Sequence, residues 1–368
     1  MNTIEKALMH GLFVHVHHNI DKVIDFKQFK MLNDRVNKVW PGALLVGPEA
    51  NDDAAVFRVP GVDGMFVGKM ESHCSPCVPR PYDSAATGAG GAMRDVVAMG
   101  ARPMFLMDFI GTRPIDQDVI VGACGFSGKC TCGKCKVMKS GERLNIMIRG
   151  VRDMCAQMDV FVIGGGLSTS FSDIVPAVVV AVFGKMVTKK PLTKPAKKAG
   201  DKLILIGQTN NDGNDTLFRA GLVDTMRPAI ALFKEERAVM EAALAAFATG
   251  KIRACSDLGA AGLGAAVCES ARHGGLGAKV DLSKVPMKVK SLTPEEILIC
   301  ETQARFLVQV APKDADAVVA AARKKVKHVH VVGEITADDK EVFVYGDKPV
   351  AVIPNRPSKS VMAELRKI

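Results

Sequence analysis

The most reactive combination of residue types in this sequence is the short segment Lys69-Met-Glu71-Ser-His73. If the segment is extended, Lys69, Glu71 and His73 share one face, because side chains alternate along a strand. An ammonium, a carboxylate and an imidazole on one surface can bind phosphate, ligate a metal and transfer a proton. We therefore predict a functional site here. A redox or metal site at Cys74 and Cys77, which follow directly, is an open alternative.

Oxygen ligands and glycines flank this segment on both sides. Asn51-Asp52-Asp53 sets two adjacent carboxylates before a short strand, where they either ligate Mg²⁺ or form an Asx turn. Gly88-Ala-Gly90-Gly91 is predicted to open a helix whose backbone N–H groups are free to bind an anion. Arg94 and Asp95 would then lie in the first helical turn, where Asp95 could also reach a metal.

Two polar, glycine-containing loops in the second half of the chain are further candidates. Asp212-Gly213 belongs to a polar loop that follows a predicted strand, and Asp257 begins an acidic, glycine-rich turn between a strand and a helix. Each loop is compatible with ligand binding and equally with ordinary turn chemistry. The sequence leaves both readings open.

Four cysteines fall within a short stretch, in the order Cys124-x5-Cys130-x-Cys132-x2-Cys135. The last pair has the spacing of metal ligands. The stretch lacks the wider gap of the usual four-cysteine zinc ribbon. It therefore predicts a second metal site, for Zn²⁺ or an iron–sulfur cluster, with a redox-active or simply reduced loop as the alternative.

A histidine cluster, His15-Val-His17-His18, is a weaker metal candidate. Spacing of two residues suits a strand, and no carboxylate or cysteine lies nearby in the sequence.

The composition limits the classes of protein that need to be considered. The chain has 368 residues, of which 48% are hydrophobic and 24% charged, so we expect about two folded domains. No run of 18 apolar residues and no signal-peptide layout is present, which predicts a cytoplasmic protein without a membrane partner. The net charge of +10 permits nucleic acid or an anionic substrate. With only 5% aromatic residues a stacking platform is hard to build, so we expect no nucleic-acid partner.

Strand-like and helix-like segments alternate in both halves of the chain, which predicts an α/β or α+β protein with two domains. Residues 1–40 form an N-terminal extension, 41–187 the first domain and 201–368 the second, α/β domain. Between the domains, residues 188–200 are rich in lysine and proline and are predicted to be a solvated linker.

Taken in order, these motifs resemble phosphoribosylformylglycinamidine synthase in its amino-terminal half. The resemblance is carried by Glu71-Ser-His-Cys-Ser-Pro76, Thr87-Gly-Ala-Gly-Gly91, Arg94-Asp95, Asp257-Leu-Gly-Ala-Ala-Gly-Leu263 and Glu301-Thr-Gln-Ala-Arg305. The Asp52-Asp53-Ala-Ala-Val form is more similar to smaller relatives, namely aminoimidazole ribonucleotide synthetase, thiamine-monophosphate kinase and the hydrogenase-maturation and selenophosphate enzymes.

The resemblance implies a two-domain fold of the aminoimidazole ribonucleotide synthetase type, in which a ferredoxin-like N-terminal domain closes a β-barrel with its twin at a dimer interface. It also implies a ligase that uses ATP to phosphorylate a substrate oxygen, which a nitrogen nucleophile then displaces. His73 is the implied catalytic imidazole and Lys69 a phosphate contact. The implied site residues further include metal ligands (Asp53, Glu71, Asp95, Asp257) and nucleotide-binding residues (Thr87, Gly88, Gly90, Gly91, Arg94, Asp212, Gly213).

Departures from the family pattern shape the expected partners. The family motif Glu-Thr-His-Asn-His-Pro has lost its second histidine, which is Ser75 here. One two-domain unit without a recognisable glutaminase implies a homodimer that receives ammonia, or sulfur, from a separate protein and acts on a small anionic substrate. A kinase- or maturation-type enzyme of the same superfamily, or a non-catalytic nucleotide-binding dimer, remains the alternative.

Overall fold

The computed structural model describes residues 1–15, 26–50, 52–126, 129–169, 176–219, 223–224 and 226–365. Its helices are Thr3–His10 (α1), Phe26–Val39 (α2), Pro81–Ala98 (α3), Ser140–Met158 (α4), Asp215–Arg219 (α5), Phe233–Phe247 (α6), Gly262–His273 (α7), Pro294–Ile299 (α8), Ala315–Arg323 (α9) and Lys359–Leu365 (α10). Its strands are Leu44–Val46 (β1), Ala55–Phe57 (β2), Phe66–His73 (β3), Ala101–Gly111 (β4), Asp118–Val121 (β5), Lys136–Lys139 (β6), Phe161–Ser168 (β7), Ala177–Met186 (β8), Lys202–Ile206 (β9), Ile252–Asp257 (β10), Gly277–Asp281 (β11), Phe306–Val310 (β12), Val329–Thr336 (β13), Lys340–Tyr345 (β14) and Lys348–Pro354 (β15).

The first half of the chain builds a six-stranded mixed sheet in the order β1-β2-β3-β8-β4-β7. Neighbouring strands are antiparallel except β4 and β7, which are parallel. A parallel pair needs a crossover, and α4 supplies it. The order of elements is therefore β3-α3-β4-α4-β7-β8, whereas a ferredoxin-like domain joins its middle strands by a hairpin. The predicted ferredoxin-like connectivity is wrong, and in the described residues the sheet ends at β1 and β7 without closing.

Helix α3 corrects the predicted position of the glycine run. The helix begins at Pro81, where proline fits because the first N–H has no helical partner. Gly88–Gly91 consequently lie in the middle of the helix and do not open it. Their N–H groups belong to the helical hydrogen-bond ladder, so they are not free to bind an anion. Asp95 likewise lies near the carboxyl end of α3, not in its first turn.

The second half builds a seven-stranded sheet in the order β10-β12-β9-β13-β11-β14-β15. Along β9, Leu203 and Leu205 pack in one hydrophobic cluster with α7, and Ile204 and Ile206 pack in another with α6. Such a continuous apolar run is expected for a strand covered on both faces. The cluster on the α6 side continues into the first domain, so one core spans the two sheets.

The N-terminal extension and the linker both pack on the second domain. Leu8 and Met9 of α1 are buried in the core of the second sheet, and the Glu5 carboxylate accepts a hydrogen bond from the Val352 N–H (2.9 Å). In the linker, Lys194 is 7% exposed and its Nζ lies 3.1 Å from a Glu269 carboxylate oxygen. The expectation of a fully solvated basic linker is therefore wrong at Lys194.

Two further predictions concern membrane spans and the histidine cluster. Within the described residues, no helix has both the length and the apolar character needed to cross a bilayer. The side chain of His15, together with His17 and His18, lies outside the described residues, so the metal interpretation of this cluster stays a prediction.

Glu341 on β14 provides a stability prediction away from the domain joint. It is 1% exposed and burial raises its pKa to about 8, although the charge of Arg272 opposes the shift. Above its ordinary pKa of 4.5 the folded state therefore keeps a proton that the unfolded state releases, so stability is lost as the pH rises from about 4.5 to about 8 and is constant above that range. We expect Glu341→Gln to stabilise the protein by about 3 kcal/mol more at pH 9 than at pH 6.

Thermal unfolding at both pH values measures this effect. Glu334→Gln on β13, which β11 separates from β14 in the sheet, is the control, since the Glu334 side chain is 43% exposed. Equal responses of the two variants, or a gain independent of pH, would contradict the assignment.

Candidate functional site

Three carboxylates from separate elements meet where the two domains join. Asp53 precedes β2, Asp95 lies on α3 and Asp257 ends β10, and their ligand oxygens all lie within 4.8 Å of one another. Asp53 and Asp95 are only 8% and 6% exposed. The structure thus brings together three of the four predicted metal ligands. We call this group the carboxylate cluster.

Burial and the repulsion of neighbouring carboxylates make Asp53 and Asp95 hard to ionise. Burial, with the neighbouring charges of Asp257 and Asp52, raises the pKa of Asp53 to about 7 even though Lys194 opposes the shift. Burial also raises the pKa of Asp95 well above its usual value. Among the described atoms, the buried Oδ2 of Asp53 has no hydrogen-bond partner. A divalent cation with a preference for oxygen ligands fits this donor set, because it would relieve the repulsion and use the spare oxygen.

The strand β3 presents the predicted trio to this cluster. The segment is extended, so the prediction that Lys69, Glu71 and His73 alternate onto one face is confirmed. Lys69 Nζ lies 2.9 Å from Asp95 Oδ2 and 3.9 Å from Glu71 Oε2. Burial alone would lower the pKa of Lys69, but the charges of Asp95 and Glu71 outweigh it and raise the pKa. Lys69 therefore remains an ammonium and offsets part of the negative charge, while Glu71 stands at the rim, beside Lys69.

His73 is fixed by contacts with α3. Its Nδ1 lies 2.8 Å from the Ser84 carbonyl oxygen, which can only accept, so Nδ1 carries a proton and the tautomer of the neutral ring has its lone pair on Nε2. Thr87 Oγ1 donates to the same carbonyl (3.3 Å). A Cβ atom at Gly88 would lie 3.1 Å from the imidazole ring. The glycine therefore allows the ring to lie directly on the helix, and Thr87 and Gly88 position His73.

Arg94, which was predicted to contact a nucleotide, forms hydrogen bonds inside the protein. It is 1% exposed, and its guanidinium donates to Glu236 (2.5 Å), to Asp257 (3.1 Å) and to Gln303. Because its charge is balanced inside the protein, Arg94 orients Asp257 and ties α3 to the second domain. Gly90 serves the same contact, because a Cβ there would lie 3.3 Å from Glu236 Oε1, whereas a Cβ at Gly91 would meet Arg94 at an ordinary 3.5 Å.

The loop at Asp212 and Gly213 is also structural. Asp212 is 3% exposed, and its carboxylate accepts hydrogen bonds from Thr302 Oγ1 (2.7 Å) and the Ile230 N–H (2.8 Å). Gly213 has φ of +71° and packs against Glu301. Both carboxylate oxygens are engaged inside the protein, which agrees with turn chemistry and not with the predicted nucleotide binding.

Sequence reasoning missed two charged residues of this site. Lys194 Nζ lies 3.6 Å from Asp53 Oδ1, and Glu236 on α6 forms the buried ion pair with Arg94. Lys194 stands in a basic run and Glu236 in an ordinary charged helix turn, so neither had a local signal. Only the contact between domains gives them a role.

A cavity of about 210 Å³ opens in the second domain beside Gln303, the residue that contacts Arg94. Its wall includes the basic side chains of Lys288 and His328 together with Gln208. The same wall carries Glu235, whose Oε1 lies 2.8 Å from Lys288 Nζ, so the charge of Lys288 is balanced within the wall and the partly enclosed space suits a small ligand.

The four predicted cysteine ligands also converge. The sulfurs of Cys124, Cys130, Cys132 and Cys135 all lie within 4.8 Å of one another, in the loop that joins β5 to β6.

Comparisons with known proteins place this geometry in a family. The sequence model of the AIR synthase related protein, N-terminal domain, matches residues 51–186, and that of the C-terminal domain matches residues 198–346. Phosphoribosylformylglycinamidine synthase subunit PurL of Methanopyrus kandleri is 33% identical over 325 residues, which cover 84% of this chain and 41% of that protein. PurL of Methanocaldococcus jannaschii is 31% identical, over 96% of this chain and 46% of its own length.

Solved structures agree with these relatives. Thermotoga maritima PurL complexed with FGAR has a TM-score of 0.67 and 26% identity, covering 86% of this chain and 47% of that one. The same protein complexed with ATP has a TM-score of 0.64, 26% identity and coverages of 88% and 46%. A HypE–HypF complex, at 16% identity and a TM-score of 0.61, shares the fold alone. This chain spans less than half the length of its curated relatives, and it belongs to the AIR synthase-related family.

Proposed function

We propose that this chain is the ATP- and Mg²⁺-dependent synthetase unit of a formylglycinamidine-synthase-type reaction. ATP phosphorylates the amide oxygen of a substrate such as FGAR, and ammonia then forms the new C–N bond while phosphate leaves. The products are the amidine, ADP and phosphate. The observation that carries this proposal is the buried carboxylate cluster, placed beside an ammonium and an imidazole in a PurL-like fold.

Asp53, Asp95 and Asp257 are the residues that would hold Mg²⁺, with Glu71 at the rim. The metal would neutralise charge on the transferred phosphoryl group, and the protein mainly positions it. Lys69, already paired with Asp95, supplies a second positive charge for the phosphate. The net charge of +10 favours a small anionic substrate.

His73 is the general base that accepts a proton from the attacking ammonia. With Nδ1 held by the Ser84 carbonyl, Nε2 accepts the proton that ammonia loses as it attacks the activated carbon. The ammonia comes from a separate protein. A solved assembly described as PurLQS from Thermotoga maritima contains a chain with a TM-score of 0.63 and 27% identity to this one, which is consistent with such a partner.

We expect Asp53→Asn to abolish metal binding without unfolding the protein. At pH 8 without metal the variant keeps or gains thermal stability, because one buried like charge is removed. In wild type, Mg²⁺ at 100 times its Kd stabilises the fold by about 2.7 kcal/mol, and the variant loses this gain. Calorimetric titration and melting curves with and without Mg²⁺ measure both effects.

Asp34→Asn, on the exposed helix α2, is the control and should leave the Mg²⁺ response intact. An Asp53→Asn protein that still responds to Mg²⁺ would remove Asp53 from the metal site.

His73→Ala is expected to reduce turnover about 10²- to 10⁴-fold while ATP affinity changes little, because the side chain acts on the nucleophile. Phosphate release from ATP with FGAR and ammonium measures turnover, and fluorescence titration measures ATP binding. Equal turnover in wild type and variant would exclude His73 from the reaction. A wild type that is inactive with these substrates would contradict the proposed reaction.

A glycine pair on α3 provides a matched control for the position of the ring. Gly88→Ala brings a methyl group to 3.1 Å from His73 and should lower turnover at least about tenfold, although alanine favours the helix by up to about 1 kcal/mol. Gly91→Ala meets its nearest neighbour at an ordinary 3.5 Å and should keep its activity.

We propose further that a second copy of the chain covers the open face of the first sheet. In the described part of the chain, α3 and α4 pack on the opposite face, in one hydrophobic cluster with Val67, Leu106 and Val182. Two rows of paired side chains cross the open face: Met70–Ala181–Met107 and Phe183–Phe105–Phe161. Met70 and Phe161 are 70% and 69% exposed, which is unusual for such large apolar groups and marks an interaction surface.

Phe161→Asp combined with Met107→Asp is expected to convert a dimer into a monomer and to lower turnover, since charges on the open face oppose association. Sedimentation equilibrium and circular dichroism measure assembly and folding. Val352→Asp, on an exposed position of β15, is the control. A wild-type chain that is monomeric at micromolar concentration would contradict the dimer.

A further inference from the structure

The four-cysteine loop between β5 and β6 has the geometry of a metal site that the ATP-dependent reaction does not use. None of these four cysteines forms a disulfide, and their sulfurs lie within 4.8 Å of one another. Cys132 Sγ is 3.3 Å from Cys124 Sγ and 3.5 Å from Cys135 Sγ. Four thiols converging from one short loop is an arrangement that ordinary packing does not require.

These distances select among the possible occupants. A tetrahedral ion with metal–sulfur bonds of about 2.3 Å sets its ligand sulfurs about 3.8 Å apart, close to the separations seen here. A disulfide would bring two sulfurs to about 2.05 Å. In an iron–sulfur cluster the thiolates bind different irons and stand further apart than around one ion. The geometry therefore fits a single ion held by four thiolates.

The backbone of the loop is shaped around the sulfurs. Gly133, with φ of +68°, makes the turn between Cys132 and Cys135. The Lys134 N–H donates to Cys132 Sγ and the Cys124 N–H donates to Cys135 Sγ, both at 3.4 Å. Such N–H donors stabilise metal-bound thiolates. A Cβ at Gly122 would lie 2.7 Å from Cys135 Sγ, so glycine is needed there for the sulfur to approach.

Charge and stability both favour an ion in this loop. Zn²⁺ with four thiolates carries a charge of about −2, and Lys129, Lys134 and Lys136 in the same stretch offset it. The hairpin has little core of its own, with Val119 and Met138 as its buried strand residues. A two-stranded hairpin is marginal in water, so a closed metal site would supply the missing stabilisation.

The loop stands beside the candidate functional site. Gly125 packs so closely on Val78, shortly after His73, that a Cβ at Gly125 would lie 2.4 Å from a Val78 methyl carbon. On the other side, the Phe126 ring lies 5.9 Å from the Phe218 ring of α5 in the second domain. The hairpin therefore bridges the segment that follows His73 and the second domain.

We propose that Cys124, Cys130, Cys132 and Cys135 bind one structural Zn²⁺ that keeps the β5–β6 hairpin docked between Val78 and α5. The site is closed, because all four coordination positions are thiolates, so it carries out no chemistry on the substrate. It holds one wall of the functional site in place. The proposal is independent of the reaction, because metal content and loop protection are measured without substrate.

Metal analysis of the full-length chain, purified once in air and once without oxygen, is the first test. We expect about one zinc per chain in both preparations. Cys132→Ser should retain less than about a fifth of this zinc, and Cys74→Ser, which alters a thiol outside the loop, should retain all of it. Less than about 0.2 zinc per wild-type chain, iron in place of zinc, or zinc lost from Cys74→Ser would overturn the assignment.

Limited proteolysis tests the docking role. Trypsin can cut after Lys129, Lys134 and Lys136, and we expect zinc to slow cleavage there at least about tenfold. Removing zinc from wild type with a chelator tests the same effect without depending on the folding of a variant, and adding zinc back should restore protection. Cleavage at equal rates with and without zinc would overturn the docking role.

Discussion

The structure depends on keeping like charges buried at the joint between two domains. Asp53, Asp95 and Asp257 repel one another in a place that water hardly reaches, an arrangement that costs several kcal/mol per ion unless cations lie close by. Three cations from different elements lie close to these carboxylates: Lys69, Lys194 and Arg94. The ion pairs that stabilise the buried carboxylates therefore also hold the two domains together. Separating the domains would leave charged side chains on both sides without partners.

Arg94 shows how closely the fold and the site are coupled. Its guanidinium crosses from α3 to Glu236 and Asp257 of the second domain, and removing one partner of such a buried pair generally costs about 3–5 kcal/mol. Close contacts between α3 and other parts of the site also explain its glycines. Each glycine weakens the helix by about 1 kcal/mol relative to alanine. That cost is accepted because a Cβ at Gly88 or Gly90 would press on His73 or Glu236.

Sequence reasoning succeeded where chemistry follows from local periodicity. Alternation along β3 placed Lys69, Glu71 and His73 on one face, and the cysteine spacing predicted a convergent loop. The prediction of where α3 begins was wrong. A glycine run usually marks an end of a helix, and the close contacts that require glycine inside α3 cannot be seen in the sequence. The ferredoxin-like connectivity failed because which strands pair is a long-range property.

Long-range contacts also explain why the sequence predicted the wrong role for some residues and no role for others. The buried ion pairs of Arg94 and Lys194 reach from the first domain and the linker into the second domain. No local pattern distinguishes these side chains from solvated ones, and Asp212 could not be told from a ligand until both of its oxygens were seen to be engaged.

The end of β3 also limits the reaction. Where the family motif has a second histidine this chain has Ser75, and the Nδ1 of His73 is committed to the Ser84 carbonyl. The trio on β3 therefore offers one nitrogen, Nε2, for proton transfer, since Lys69 is held as an ammonium by Asp95 and Glu71. Attack of ammonia on a phosphorylated amide needs one base to remove a proton, whereas phosphate leaves as an anion stabilised by cations and needs no acid. A single fixed imidazole in the same site as the carboxylate cluster therefore meets the one proton transfer that the proposed reaction requires.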